Sequence, residues 1–328
     1  MDHNTLFILL VILMAYAFDF TNGVHDAANT IAIIVTTRVL TPRQAVMWAA
    51  FFNFIAFLFF NLMVAKTIGS GLIDPGIVNV KLIFAALTGA IFWNLVTWFF
   101  GLPSSSSHAL IGGLAGAAVV RGGFGSLKLA GFIKVAIGMC IVPVVGLLIG
   151  MATSFVFTRL FQNMAVKKTN NIFKGLQLVS SAMLSLTHGG NDAQKTMGVV
   201  AVLLFSASWL DDPSYIPLWI VMSCHATIAL GTLMGGWRIV RTLGTKITPL
   251  NAMRGCAAET GAAAIIFAAT DFGIPVSTTQ TITGSITGVG LLKGLTGVYW
   301  PMLRMIFISW VLTIPAAGLV AGLIMLIM

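Results

Sequence analysis

Charge is what this sequence has least of. Only 8% of its 328 residues are Asp, Glu, Lys or Arg, and only nine are acidic. An ordinary soluble domain carries about a quarter charged residues, so this chain cannot cover a water-facing surface. Cysteine is sparse as well. Cys140, Cys224 and Cys256 stand singly inside apolar stretches, with no Cys-x-x-Cys, which excludes a disulfide-rich secreted domain and reads as isolated buried thiols. Long polar segments are missing; the largest loops fall at about 160–171 and 238–253. That excludes disordered and collagen-like chains. No Gly-x-x-x-x-Gly-Lys-Ser/Thr occurs, so ATP does not drive the protein directly. The formal charge of +9 does not point to nucleic acid, because the basic residues sit in short loops and not in a hydrophilic domain interleaved with aromatics. The first apolar segment, Leu6 to Phe18, lacks a basic leader and a small-residue cleavage site and reads as a retained span.

What is there is apolar: 58% of the residues, with a mean hydropathy of +0.99. The apolar segments are long and continuous, without the period-2 alternation of a barrel. The chain reads as an all-α polytopic membrane protein of ten hydrophobic units, at 5–37, 43–69, 81–100, 102–120 and 131–159, then 172–210, 216–237, 254–271, 273–292 and 304–328. Units one and six are long, each with a polar break. Units four and nine are short and rich in Gly, Ser and Thr, as expected of re-entrant or half-helix segments.

The list repeats after five units, and so do the residues. Gly23-Val24-His25-Asp26-Ala27-Ala28-Asn29-Thr30 aligns with Gly189-Gly190-Asn191-Asp192-Ala193-Gln194-Lys195-Thr196 at an offset of 166. Gly101-Leu102-Pro103-Ser104-Ser105-Ser106-Ser107-His108 aligns with Gly273-Ile274-Pro275-Val276-Ser277-Thr278-Thr279-Gln280 at an offset of 172. Five crossings per half is odd, so the halves are expected to be inverted in the membrane: an N-terminal repeat over 1–160, a cytoplasmic linker at 161–171 and a C-terminal repeat over 172–328. Basic residues at 159, 167, 168 and 174, and at 238, 241, 246 and 254, place two loops in the cytoplasm with Arg38 and Arg43. Asp211 and Asp212 place a third loop outside, with both termini. Lys66, Lys81, Arg121 and Lys128 run against this bias.

Ionisable side chains at membrane depth are expensive and mark function. Asp26 and Asp192 sit at matching positions in the two long units, beside Gly and Asn residues that suit an unwound helix. Unwinding would free carbonyls beside a carboxylate, the ligands a small hard cation such as Na⁺ takes. The Ser/Thr runs follow Gly-x-Pro, where Pro stops one helix and Ser or Thr caps the next. Free amides and a positive dipole end at such a start form an anion site. Ser105, Ser106, Ser107, Ser277, Thr278 and Thr279 are the candidates, and two such termini facing each other would hold a tetrahedral oxyanion. Lys195 either neutralises Asp192 or approaches the anion. Glu259, whose repeat counterpart is Leu87, is a coupling carboxylate or is hydrogen-bonded in a helix interface. Asp19 and Asp271 read as interfacial. His25, His108 and His188 read as neutral, hydrogen-bonded imidazoles.

Phe18-Asp19-Phe20-Thr21-Asn22-Gly23-Val24-His25-Asp26-Ala27-Ala28-Asn29 and His188-Gly189-Gly190-Asn191-Asp192-Ala193-Gln194-Lys195-Thr196 resemble the duplicated signature of the inorganic phosphate transporter family. The Pro-Ser-Ser-Ser-Ser-His and Pro-Val-Ser-Thr-Thr segments resemble its second duplicated pair. The resemblance implies a cation-coupled phosphate symporter of inverted repeats, often a homodimer, needing no cofactor beyond its coupling ion, Na⁺ or H⁺, in a lipid inner membrane. It implies Asp26, Asn29, Asn191 and Asp192, together with the Ser/Thr segments, as the phosphate and cation sites. Gln280 stands where the family commonly has His, which leans toward Na⁺. The large insert of animal members is absent, as in compact prokaryotic forms. Sulfate or another oxyanion is the alternative substrate. An anion channel and an intramembrane serine hydrolase are the alternatives of class; the hydrolase is disfavoured because the second Ser/Thr segment has Gln280 and no His.

Overall fold

A computed structural model describes residues 3–212 and 214–328. Among them the regular structure is helical, apart from an isolated antiparallel bridge between Ile73 and Leu127. Twelve α-helices follow one another: α1 (His3–Thr36), α2 (Pro42–Ile55), α3 (Met63–Ser70), α4 (Val80–Phe100), α5 (Ser106–Gly122), α6 (Leu129–Phe161), α7 (Val166–Ser206), α8 (Leu218–Met234), α9 (Trp237–Thr245), α10 (Ala252–Asp271), α11 (Thr278–Leu291) and α12 (Trp300–Ile327). Four are long and apolar enough to cross a membrane. Two bent pairs, α2 with α3 and α8 with α9, raise that to six if each is one span. The outward faces of α6 and α12 expose Ile133, Ile137, Ile141, Val144, Phe307, Ile308 and Val311, the surface of a multi-pass membrane protein.

Local chemistry starts and ends the helices at equivalent places. Asn79 caps α4 by accepting from Leu82 N, and Asn251 caps α10 by accepting from Arg254 N. Ser105 and Ser277 do the same for α5 and α11, each supplying an acceptor for an amide that has no helical partner. Between these helices the chain reverses at Gly101 (φ 65°) and Gly273 (φ 68°), a backbone state that glycine adopts without strain. Two helical hairpins result, α4–α5 and α10–α11. Pro143 and Pro315 lie inside α6 and α12, which continue through them.

The elements interlock across the chain. α5 packs on α12, with Gly112 against Ile314 and Gly116 against Gly318; α11 packs on α6, with Ser285 Oγ donating to Gly146 O. α1 and α7 run antiparallel through the centre: Thr196 Oγ1 donates to Asp19 Oδ1 midway along α1, and Thr37 Oγ1, just past the end of α1, donates to Gln177 Oε1. Two large apolar cores result, with a small third cluster of Phe173, Ala252 and Cys256. One takes Ile8–Phe18 of α1 and Ala193–Leu204 of α7; the other takes Ala27–Ile34 of α1 and Leu184 of α7. Between them lies a band of buried polar residues, 0–4% exposed.

Three expectations from the sequence are corrected here. The polar motifs of units one and six do not break their helices; α1 and α7 are continuous through Asp26 and Asp192. Their glycines serve close approach instead. Gly23 meets Ile228 and Gly231 of α8, and Gly189 meets the backbone of Asn53 in α2. The broken helices are units two and seven, bent by 85° and 74°. In unit two the freed amides of Val64 and Ala65 are taken by Gln194 Oε1; in unit seven the break is Gly235-Gly236, with Gly235 at φ 68°. Finally, 238–253 is not all loop, because α9 is an amphipathic helix burying Ile239, Val240 and Leu243.

Candidate functional site

The polar band gathers side chains from both ends of the sequence. α1 contributes His25, Asp26 and Asn29, and α7 contributes His188, Asn191, Asp192 and Lys195. The tips of the two hairpins contribute Ser104–Ser107 and Val276–Thr279. All the polar residues among these are between 0% and 3% exposed.

The tips meet head to head. Ser107 Oγ, in the first turn of α5, donates to Val276 O at 3.2 Å, just ahead of α11. The first amides of both helices therefore converge on one region, along with the positive ends of both dipoles. Ser105 and Ser277 turn their hydroxyls to the amides of His108 and Gln280, both at 3.2 Å. That leaves the hydroxyls of Ser106, Ser107, Thr278 and Thr279 facing the two motif helices.

Asp26 accepts from His25 Nδ1 at 2.8 Å, from Ser106 Oγ at 3.3 Å and from Thr279 Oγ1 at 3.3 Å. It thus ties the tips of both hairpins to α1. His25 Nε2 lies 3.2 Å from both Thr97 Oγ1 and Ser104 Oγ, so both ring nitrogens are engaged. Asn29 Nδ2 donates to Thr278 Oγ1 at 3.1 Å and Thr279 Oγ1 at 2.9 Å, and its Oδ1 has no partner. Asn191 turns the other way, donating to Thr270 Oγ1 at 2.9 Å and to Ile274 O at 3.5 Å; it braces α7 against the end of α10 and the start of the α10–α11 turn.

Asp192 is held differently. Its Oδ1 accepts from Lys195 Nζ at 2.5 Å, and its Oδ2 has no hydrogen-bond donor. His188 donates from Nδ1 to Asn53 Oδ1 at 3.1 Å, and its Nε2 lies 3.5 Å from Asp192 Oδ2. One ligand atom each from Asp26, His188 and Asp192 lies within 4.8 Å of the others. Two carboxylates and an imidazole this close together could hold a cation.

Four further charged residues named from the sequence take these places. Glu259 accepts from Gln177 Nε2 at 3.2 Å and Ser180 Oγ at 2.6 Å. Ser180 precedes Asp192 by twelve residues of helix, so Glu259 sits about 18 Å from the central cluster along α7. Asp19, read as interfacial, is fully buried. It lies mid-helix, where Thr196 reaches it; Asp271 is exposed, as expected. Lys195, for which the sequence leaves open pairing with Asp192 or approach to the anion, stands at the centre. Its ammonium also donates to Ser107 Oγ at 2.5 Å and Val276 O at 3.0 Å.

The comparisons with known proteins agree with this architecture. The model of the phosphate transporter family matches residues 22–321. A Rhizobium meliloti protein named a probable low-affinity inorganic phosphate transporter is 56% identical over 98% of this chain and 97% of its own length. A Bacillus subtilis protein of the same name is 41% identical over 97% and 96%. A solved structure of a sodium-dependent phosphate transporter superposes with a TM-score of 0.88, at 25% identity, covering 98% of each chain. Its relatives are transporters and permeases, not enzymes, and the chain belongs to the phosphate transporter family.

Proposed function

We propose that the protein is a secondary transporter that carries inorganic phosphate inward with a cation, by alternating access. The observation that carries this reading is the juxtaposition of a cation pocket (Asp26, His188, Asp192) with two helix starts lined by hydroxyls. A cation in the pocket offsets the negative charge that would repel the anion. Phosphate then bridges the tips of α5 and α11, bound by Ser106, Ser107, Thr278, Thr279 and the free amides, with Asn29 beside them. A protonated phosphate has an O–H to donate to a carboxylate, which sulfate lacks at neutral pH. The sodium dependence of the structural neighbour favours Na⁺ as the coupling ion.

The halves, 1–160 and 172–328, act as inverted repeats. The antiparallel course of α1 and α7 and the head-to-head tips of α5 and α11 support this, because parallel copies would bring neither about. Basic loops on the cytoplasmic side put both termini outside. The central residues are closed off from solvent in this conformer, which supports an occluded state from which the halves rock to either face.

Labelled phosphate uptake into proteoliposomes, with an inward Na⁺ gradient and separately an inward H⁺ gradient, tests the reading. Uptake driven by one gradient and resistant to excess sulfate is expected. Uptake indifferent to both gradients points to a channel, and uptake of sulfate in place of phosphate overturns the substrate.

A further inference from the structure

Asn29 and Lys195 occupy the same position in the duplicated motif, 166 residues apart, and Thr279 and Ser107 occupy the same position in the second pair, 172 apart. Across the halves, Asp26 of the first motif and the Thr279 hydroxyl bond directly, at 3.3 Å. The corresponding pair of the second motif, Asp192 and the Ser107 hydroxyl, also spans the halves and is bridged by the Lys195 ammonium at 2.5 Å to each. Its third contact is a backbone carbonyl, Val276 O, at 3.0 Å. A carboxylate, a hydroxyl and a carbonyl are the oxygen donors a small hard cation takes. A lysine ammonium is a compact point charge on a flexible stem, and this one is 1% exposed with every donor used.

We propose that the Lys195 ammonium is a tethered cation that permanently fills the cation site at the C-terminal motif, so that each transport cycle carries one mobile cation fewer than two equivalent motifs would. This deepens the cation-coupled reading above and rests on it. The charge balance follows from the residues. Asp26 and Asp192 bring two negative charges, and Lys195 cancels one. A single mobile cation between Asp26, His188 and Asp192 then neutralises the site before the anion arrives. Asp192 serves both at once, with Oδ1 on the lysine and Oδ2 open to the pocket. Lys195 is thereby a positioning and stoichiometry-setting residue, already saturated by protein oxygens and not free to grip phosphate.

The test is the cation-to-phosphate flux ratio in proteoliposomes of wild type, Lys195→Asn and Lys195→Arg, read with labelled phosphate and the cation that drives wild-type uptake. Lys195→Asn, which gives the second motif the residue of the first, is expected to raise the ratio by one cation and the Hill coefficient for the cation from about one to about two. Lys195→Arg keeps the wild-type ratio. An unchanged ratio in Lys195→Asn, with a raised half-saturation for phosphate, overturns the proposal and makes Lys195 a phosphate ligand. Wild-type uptake without any cation dependence overturns the symport reading itself. If Lys195→Asn does not turn over, melting of the detergent-purified proteins reads the same site. The rise of melting temperature with log cation concentration is expected to be about twice as steep in Lys195→Asn, and equal slopes overturn the proposal.

Discussion

Asp26 and Asp192 belong to motifs 166 residues apart, yet their carboxylates come within 4.8 Å of each other in a buried site. Two like charges at that distance repel by about 3–4 kcal/mol at an effective dielectric of 20. The pair is tenable because Lys195 holds one member and hydroxyls and an imidazole hold the other. The two residues therefore predict different phenotypes. Asp26→Asn is expected to reduce gradient-driven phosphate uptake at least about tenfold, equivalent to roughly 1.4 kcal/mol, while the protein still elutes as a single species. Asp192→Asn also leaves a buried ammonium without its carboxylate, a loss of about 3–5 kcal/mol when a buried pair is broken from one side. It should lose uptake and melt well below Asp26→Asn. Wild-type transport in either variant would refute the paired-carboxylate site.

Ser105 and Ser277 would act on the proposed anion site through the backbone. Each holds the third amide of its helix and thereby fixes the first two amides toward the centre. Removing such a cap costs about 1 kcal/mol, about a fivefold change in an equilibrium. Ser105→Ala and Ser277→Ala are each expected to raise the half-saturation for phosphate by about that factor with little change in expressed protein. Uptake curves at fixed cation concentration measure it.

Gln194 makes a different prediction, because it holds the break between α2 and α3. Its Oε1 accepts from Val64 N and Ala65 N, and its Nε2 donates to Asn61 O and Gly190 O. Gln194→Ala strands buried backbone groups at about 1–3 kcal/mol each. A lowered melting temperature is expected, with faster proteolysis near residues 56–62. An unchanged melting curve would contradict the assigned role.

The orientation is open to labelling. Cys140 is the exposed native thiol, while Cys224 and Cys256 are buried. In a Cys140→Ser background, Asn163→Cys should react with an impermeant maleimide only from the cytoplasmic side, and Asp211→Cys only from the outside. Labelling of both from the same side would contradict an odd number of crossings between them.

The repeat was legible because polar residues are rare in this chain, so two polar motifs recurring in order stood out. Asp26, Asp192 and the hairpin-tip residues followed from it, as did the caps at Ser105 and Ser277. The helix breaks were not legible. Glycine next to Asp26 and Asp192 has the same appearance whether it unwinds a helix or lets another approach, and Gly23 and Gly189 do the latter. The real break after α2 depends on Gln194, about 130 residues away, which no local pattern reveals. Only Gly235-Gly236, within unit seven, carried a local signal. Lys195 resisted a reading for a related reason: its partners Ser107 and Val276 come from different halves, and only tertiary structure brings them to one ammonium. Asp19 was misread because unit one extends on both sides of it as one unbroken helix.

The central claim is that cation and phosphate bind in one cluster and each favours the other. Equilibrium phosphate binding to the purified protein, titrated at saturating and at vanishing concentrations of the driving cation, tests it most directly. Linkage requires the cation to raise phosphate affinity by the factor by which phosphate raises cation affinity. At least about a tenfold increase in wild type, abolished in Asp26→Asn, is the predicted result. Phosphate affinity that is the same with and without the cation would contradict the account.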